Sequence, residues 1–240
     1  MAATGQRPTG RVFRPSIKGS IAALAGVAFL LGLAGWQWSR YLEKQALWDG
    51  FASGTDQLIE LPRAAVPPKR FSHVQVSGRY LGERQFLLDN MSHDGEAGYR
   101  VLTPLDRPGA ETILVDRGWV PHRSSGRLPD LAVSADSRTL TGRADLLPRR
   151  GVNLTDHPGK EWPKLMSYPT IDALERELGR PLYPQILLLD ASAPDAFVRD
   201  WQPPGLPPAQ HLGYAITWLG CALTLAFLFV RASRRPVTQS

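Results

Sequence analysis

His211, Tyr214 and Trp218 fall at positions i, i+3 and i+7, a spacing that brings three ring side chains to one face of an α-helix. A neutral imidazole is a common axial ligand for haem iron. A tyrosine and a tryptophan beside it could pack against a flat, apolar macrocycle. The same histidine also fits a plainer role, hydrogen-bonded to water or lipid headgroups at a membrane rim. Spacing leaves both readings open. Location adds weight to the first, because ionisable groups at the edge of an apolar span are functional candidates by default.

A second set lies near the other end of the chain. Trp36, Arg40 and Lys44 recur every four residues, with Glu43 beside them. Trp36 and Trp38 suit an aromatic belt, and Arg40 and Lys44 follow within two turns. These cations either snorkel to headgroups or present a positive face to an anionic ligand or partner.

Two apolar runs must position these residues. Gly19 to Ser39 contains 21 residues without a charge, and Leu212 to Val230 contains 19. At about 1.5 Å per residue the shorter run spans roughly 28 Å, close to the hydrocarbon core of a bilayer. Both read as transmembrane helices, the first continuing outward through WQWSRYLEKQALWDGF. For that first run a cleaved signal peptide is the competing reading. The run is long for one, and Trp36-Gln37-Trp38 follows the small residues, so an uncut anchor is expected. The spacings Ala22-xxx-Gly26 and Ala28-xxx-Gly32 suit close helix packing, with Gly213, Thr217 and Gly220 on the second span as the expected counterpart.

The net charge of +6 is not a nucleic-acid footprint. Arg7, Arg11, Arg14 and Lys18 precede the first span, and Arg231, Arg234 and Arg235 follow the second. No acidic residue accompanies them. The rest of the chain carries 21 basic and 22 acidic side chains, so the basic surplus belongs to the membrane flanks. The expected layout is a cytoplasmic tail over 1–18, spans at 19–39 and 212–230, an outer domain over 40–210, and a basic cytoplasmic tail over 231–240. The bacterial inner membrane is expected ahead of the mitochondrial one. The N-terminal tail, with Gly, Pro and Arg, is expected to lack regular structure.

The middle segment, after a linker around Leu61 to Pro68, reads as β. FSHVQVSGRYL alternates, and RQFLLDN, YRVLTPLD, ETILVDRGWV and RTLTGRADLL follow, several ending in turn chemistry such as Asp-Gly, Pro-Gly or Arg-Gly. PTIDALERELG is a helix that Thr170 caps and Gly179 ends. PLYPQILLLD returns as a buried strand. The expected fold class is an integral membrane α+β protein, two transmembrane helices flanking a predominantly antiparallel β domain that is open to partial barrel closure.

Catalytic patterns are weak. Ser92-His93-Asp94 are sequence neighbours, which cannot converge as a triad, and no GxSxG, HExxH or P-loop pattern occurs. His73, His93, His122 and His157 lack ligand spacing and read as surface or strand histidines. Cys221 is the single cysteine and lies within the second apolar run, so the β domain offers no thiol for copper delivery or disulfide exchange. Asp116-Arg117-Gly118-Trp119-Val120-Pro121 joins charge, a flexible glycine and a large aromatic, either as an ion pair fastening a turn over a core tryptophan or as a docking surface.

Trp36-Gln37 with Arg40 and Lys44, then Asp116 to Pro121, then His211-Leu212-Gly213-Tyr214-Ala215-Ile216-Thr217-Trp218, together resemble the Surfeit locus protein 1 family of cytochrome c oxidase assembly factors. The resemblance runs from the first apolar run to the end of the second. It implies a non-enzymatic factor that helps build the haem-bearing catalytic subunit and binds haem a received from its delivery machinery. Carried onto this chain, it implies His211 as axial ligand to the haem iron and maps the tryptophan-glutamine and cationic positions onto Trp36, Gln37, Arg40 and Lys44. Tyr214 and Trp218 are expected beside the cofactor from their place on the His211 helix face. The alternatives are a scaffold that stabilises an oxidase-subunit intermediate without holding haem, and an envelope enzyme, for which the sequence supplies no acid–base constellation.

Overall fold

The computed structural model describes residues 11–54, 57–63, 66–122, 130–148, 159, 161–194 and 197–236. In chain order the elements are β1 (Arg11–Phe13), α1 (Ile17–Ser53), β2 (Ile59–Glu60), β3 (His73–Tyr80), β4 (Phe86–His93), β5 (Glu96–Asp106) and β6 (Thr112–Pro121). They continue with β7 (Ser137–Asp145), β8 (Lys164–Met166), α2 (Ile171–Leu178), β9 (Leu182–Leu189), α3 (Pro208–Ala232) and β10 (Arg234–Pro236). Two compact units divide the chain: the terminal portions, up to Trp48 and from Pro203, form one, and Asp49–Gln202 forms the other.

In the terminal unit, α1 and α3 are both long and apolar enough to cross a membrane. The expected continuation of the first helix past its apolar run is present, since α1 reaches Ser53. The two helices run antiparallel. On α3 the less exposed residues include His211, Ala215, Trp218, Ala222, Leu225 and Phe229, a three-four spacing that draws one seam. On α1 the matching seam passes through Ala23, Gly26, Leu30, Ala34, Gln37, Tyr41 and Lys44.

The expected small-residue contact falls elsewhere on α3. A Cβ on Gly26 would stand 2.8 Å from Leu225 Cδ2, so the helices do approach there, but Gly32, Gly213 and Gly220 meet nothing within 4 Å. Ala215 and Ala222 are the buried small residues of α3. A seven-residue step keeps them on the seam, whereas Gly213 and Gly220 lie two positions round the helix from it.

The start of the chain also departs from expectation. Residues 1–10 lie outside those described, but Arg11 to Phe13 pair antiparallel with Arg234 to Pro236. Antiparallel helices bring the segments entering α1 and leaving α3 to the same end, where their backbone groups can bond.

In the Asp49–Gln202 unit, the strands follow the order β2-β3-β7-β9-β6-β5-β4-β8. A further pairing of β3 with β5, through Arg79↔Asp106 and Tyr80↔Leu105, closes β3-β7-β9-β6-β5 into a ring. The sheet is mostly antiparallel, with parallel contacts at β2–β3, β4–β8 and β6–β9. Partial barrel closure is therefore present.

Strand alternation sorts the core into two faces. Val74, Val76, Tyr80, Leu105, Ile113, Val115, Leu140, Tyr183 and Leu187 pack together on one side. Leu102, Leu114, Ile186 and Leu188 point the other way and are covered by Leu174 and Leu178 of α2. That helix starts and stops as its sequence dictates: Thr170 accepts a hydrogen bond from the Ala173 N–H, and Gly179 closes it at φ 75°. Leu61, expected in a linker, is 1% exposed and belongs to the first core.

Candidate functional site at the start of the second apolar helix

Pro207 and Pro208 open α3 with the fixed φ that suits a first helical turn. His211 follows at the end of that turn, on the seam facing α1. Its Nδ1 lies 2.9 Å from Gln37 Oε1. An amide oxygen only accepts, so in this pairing Nδ1 carries a hydrogen, and in the neutral ring Nε2 keeps its lone pair. Among the described residues Nε2 has no hydrogen-bond partner. This arrangement leaves one imidazole nitrogen oriented and available, the usual condition of a histidine metal ligand.

The other ring side chains divide around His211. Trp218 shares the partly covered seam, while Tyr214 is 49% exposed on its flank. Trp36, one residue before Gln37, is exposed as well. Among the described residues no hydrogen bond or ring contact joins Trp36 to Tyr214 or Trp218.

The two cations differ in setting. Arg40 projects off the seam and pairs with Glu43 at 2.7 Å, both side chains well exposed. Lys44, seven residues after Gln37, lies on the seam and donates to the Pro204 carbonyl at 3.1 Å. The approach is close enough that a Cβ on Gly205 would stand 2.9 Å from Lys44 Nζ. Lys44 thus ties α1 to the segment that leads into α3. Its four-residue spacing from Arg40 suggests one shared face, but each such step rotates about 40°, and Lys44 has turned onto Gln37's side.

The remaining candidates from the sequence sit in the β unit. Asp116 to Pro121 lie within β6, so Arg117-Gly118 is strand interior and not the expected turn. Asp116 is fully buried: Oδ2 faces Arg100 Nη2, and Oδ1 accepts the Gly118 N–H at 3.0 Å. Burial pushes the Asp116 carboxyl above the usual range, against the lowering effects of Arg100 and the Gly118 N–H. Arg100 also stacks over Trp201, 4.8 Å from its ring centroid.

Arg117 is 2% exposed and donates to Gln85 Oε1 and the Leu131 carbonyl. These are structural fastenings, and the motif is not an exposed docking surface. His73 pairs with Asp190 at 2.8 Å, and His93 and His122 each stand 3.5 Å from an aspartate. His157 lies outside the described residues. Among the described residues no three His, Cys, Asp or Glu side chains gather as a metal site.

The sequence model of the SURF1 family matches residues 24–223. This chain belongs to the SURF1 family. A SURF1-like protein of Rickettsia felis is 25% identical over 239 residues, taking in 92% of this chain and 100% of the relative. Uncharacterized SURF1-like proteins of Mycobacterium bovis and Mycobacterium tuberculosis are each 28% identical over 87 residues, 36% of this chain and 32% of theirs.

The SURF1 match takes in Trp36, Gln37, Arg40, Lys44, the β unit and the first turns of α3 with His211, Tyr214 and Trp218. It stops short of the basic end of α3. Within this SURF1 chain, Gln37 is the site residue that periodicity did not single out for a role. Its signals were a polar amide in the last turn of an uncharged run and its place in the Trp36-Gln37 pair of the resemblance; its partner lies 174 residues away.

Proposed function

We propose that this chain is a membrane-anchored, non-enzymatic assembly factor for cytochrome c oxidase that uses His211 to hold haem a on its way to the catalytic subunit. Membership of the SURF1 family implies the oxidase-assembly role. The observation that carries the haem reading is the His211–Gln37 hydrogen bond, which leaves Nε2 free at the opening of an apolar helix. The proposed partners are the oxidase catalytic subunit, the haem a delivery machinery and the lipid bilayer. The proposed location is the cell inner membrane, with both termini cytoplasmic and the β unit outside.

The residues present fit such a cofactor. Haem a supplies an iron that accepts a neutral imidazole as axial ligand, together with two carboxylates and a long apolar tail. His211 offers Nε2, and Gln37 keeps the proton on Nδ1 and fixes the ring plane. Tyr214 and Trp218 supply flat apolar surface beside the imidazole. Arg40, tied only to an exposed Glu43, can exchange that carboxylate for another at little cost. A single histidine ligand would also suit transfer, because loss of that one bond would suffice for release.

A haem-independent scaffold is the second reading. The engagement of Arg40 with Glu43 and of Lys44 with the Pro204 carbonyl favours it, since neither cation then waits for a ligand.

The test is the absorption spectrum of the full chain purified from cells that synthesise haem a. A haem band lost in His211→Ala, with the protein still in the membrane fraction, supports the ligand role. An unchanged band and unchanged oxidase assembly overturn it. Copurification with the oxidase subunit from haem-a-deficient cells would favour the scaffold.

A further inference from the structure

The short ladder between β1 and β10 makes a clasp at the far end of the helix pair from His211. Arg14 N–H donates to the Ser233 carbonyl at 2.8 Å, and Phe13 meets Phe229 edge-on with ring centroids 6.4 Å apart. In the ladder Phe13 stands opposite Arg234, and Val12 opposite Arg235. Directly opposed side chains of an antiparallel pair emerge on the same face, so Phe13 and Arg234 lie side by side.

Beside the clasp is a groove of about 620 Å³ lined by Phe13, Phe227, Val230, Arg231 and Arg234. Three of these are apolar and exposed, at 50%, 63% and 40%. The other two are guanidiniums with no carboxylate partner among the described residues. Arg14 and Arg235 stand in or beside the same short strands and Lys18 in the first turn of α1, and the sequence places no acidic residue before Lys18 or after Val230.

A hydrocarbon wall that passes directly into a pair of cations matches one ligand chemistry, an amphiphile with an anionic head. Guanidinium groups bind phosphate oxygens in bidentate fashion. The surplus of positive charge disfavours a headgroup carrying its own cation. We propose that this groove is a binding site for an anionic phospholipid. Its phosphodiester lies on Arg231 and Arg234, and its acyl chain runs along Phe13, Phe227 and Val230. The inference rests on the reading that α1 and α3 cross a bilayer and is independent of the haem assignment.

The site can be tested on the full chain in mild detergent by native mass spectrometry, scoring retained lipid after addition of phosphatidylglycerol or phosphatidylcholine. Wild type is expected to retain phosphatidylglycerol selectively. Arg231→Gln with Arg234→Gln should lower that retention roughly 30-fold, about fivefold for each basic side chain at an anionic head. Phe13→Ser, which leaves every charge in place, should also lower it.

Equal retention of the two lipids, or a Gln pair that binds as wild type, overturns the proposal. Displacement of the lipid by millimolar inorganic phosphate reassigns the groove to a soluble anion and overturns it too. No effect of Phe13→Ser reduces the site to diffuse attraction of the basic tails, with the same consequence. Should the Gln pair fail to insert, Phe13→Ser and the lipid comparison on wild type decide the matter. Alkaline carbonate extraction checks insertion separately: release of wild type would sink the membrane reading itself.

Discussion

His211 Nδ1 and Gln37 Oε1 stand 2.9 Å apart, joining the opening of α3 to the point where the apolar run of α1 gives way to polar sequence. The bond does two things at once. It satisfies two polar groups on a seam that, short of Lys44, is otherwise made of apolar and aromatic residues, and it fixes which nitrogen of the neutral imidazole keeps a lone pair. Gln37→Leu is therefore expected to weaken the proposed haem binding by about 10-fold to 100-fold, the usual range for losing an outer partner of a metal-bound histidine. Gln37→Glu, which keeps an acceptor oxygen, should retain most of the affinity. Titration of the purified chain with haem, followed by absorption, checks both. Equal affinity of Gln37→Leu and wild type would remove the orienting role.

Arg40 and Glu43 allow a prediction of opposite signs. Their side chains are 46% and 61% exposed, so the pair adds well under about 1 kcal/mol to stability. Neither Arg40→Gln nor Glu43→Gln should move the melting temperature of the purified chain appreciably. Haem affinity should respond differently: Arg40→Gln lowers it several-fold, and Glu43→Gln raises it by freeing the guanidinium. Both changes should shrink as salt is added, because exposed charges are screened over about 10 Å at 0.1 M. Two variants that bind haem like wild type at low salt would exclude Arg40 from the site.

Much of this architecture was legible because local rules and the final fold agree. Alternation in His73–Tyr80 and the cap and stop residues of α2 act through near neighbours, and the structure keeps them. Uncharged length marked α1 and α3 for the same reason. What could not be read depends on partners distant in sequence. Gln37 acquires meaning from His211, Gly26 from Leu225, and Arg11 to Phe13 from a strand more than two hundred residues later. Arg117-Gly118 misled for a related cause. Such a dipeptide ordinarily marks a turn, but here a neighbouring backbone segment presses against the strand and needs the missing side chain.

Asp116 and Arg100 should dominate the pH dependence of the β unit. Burial raises the Asp116 carboxyl in the folded chain above its ordinary 3.8, so protonation favours the fold. Its contribution is complete below that ordinary value and declines as pH rises through the raised folded value. Arg100 offsets the cost at neutral pH. Arg100→Met removes the partner and strands a buried carboxylate, a loss of about 3–5 kcal/mol. The deficit should be largest near neutral pH and shrink on acidification, as Asp116 takes up a proton. Thermal unfolding of the full chain in detergent across that range checks it. A pH-independent deficit would mean that lost packing on Trp201, and not charge, sets the effect.

Gly118 gives the sharpest steric prediction. Its φ of 114° lies where side chains are strained, and a Cβ there would stand 2.5 Å from the Val198 carbonyl oxygen. That carbonyl accepts the Trp119 N–H at 2.8 Å, and Phe197 N–H donates to the Arg117 carbonyl at 3.1 Å, so residues 197–198 are laid directly on β6. Gly118→Ala must either bear the strain, about 1–3 kcal/mol, or push that segment away. Displacement would also uncover Arg117, whose guanidinium lies 4.7 Å from the Phe197 ring centroid. The expected outcome is a lower melting temperature with faster proteolysis near Val198, and the proposed haem binding at His211 unchanged. Gly118→Ala with wild-type stability and protease resistance would show that the close approach of Val198 to Gly118 does not hold in solution.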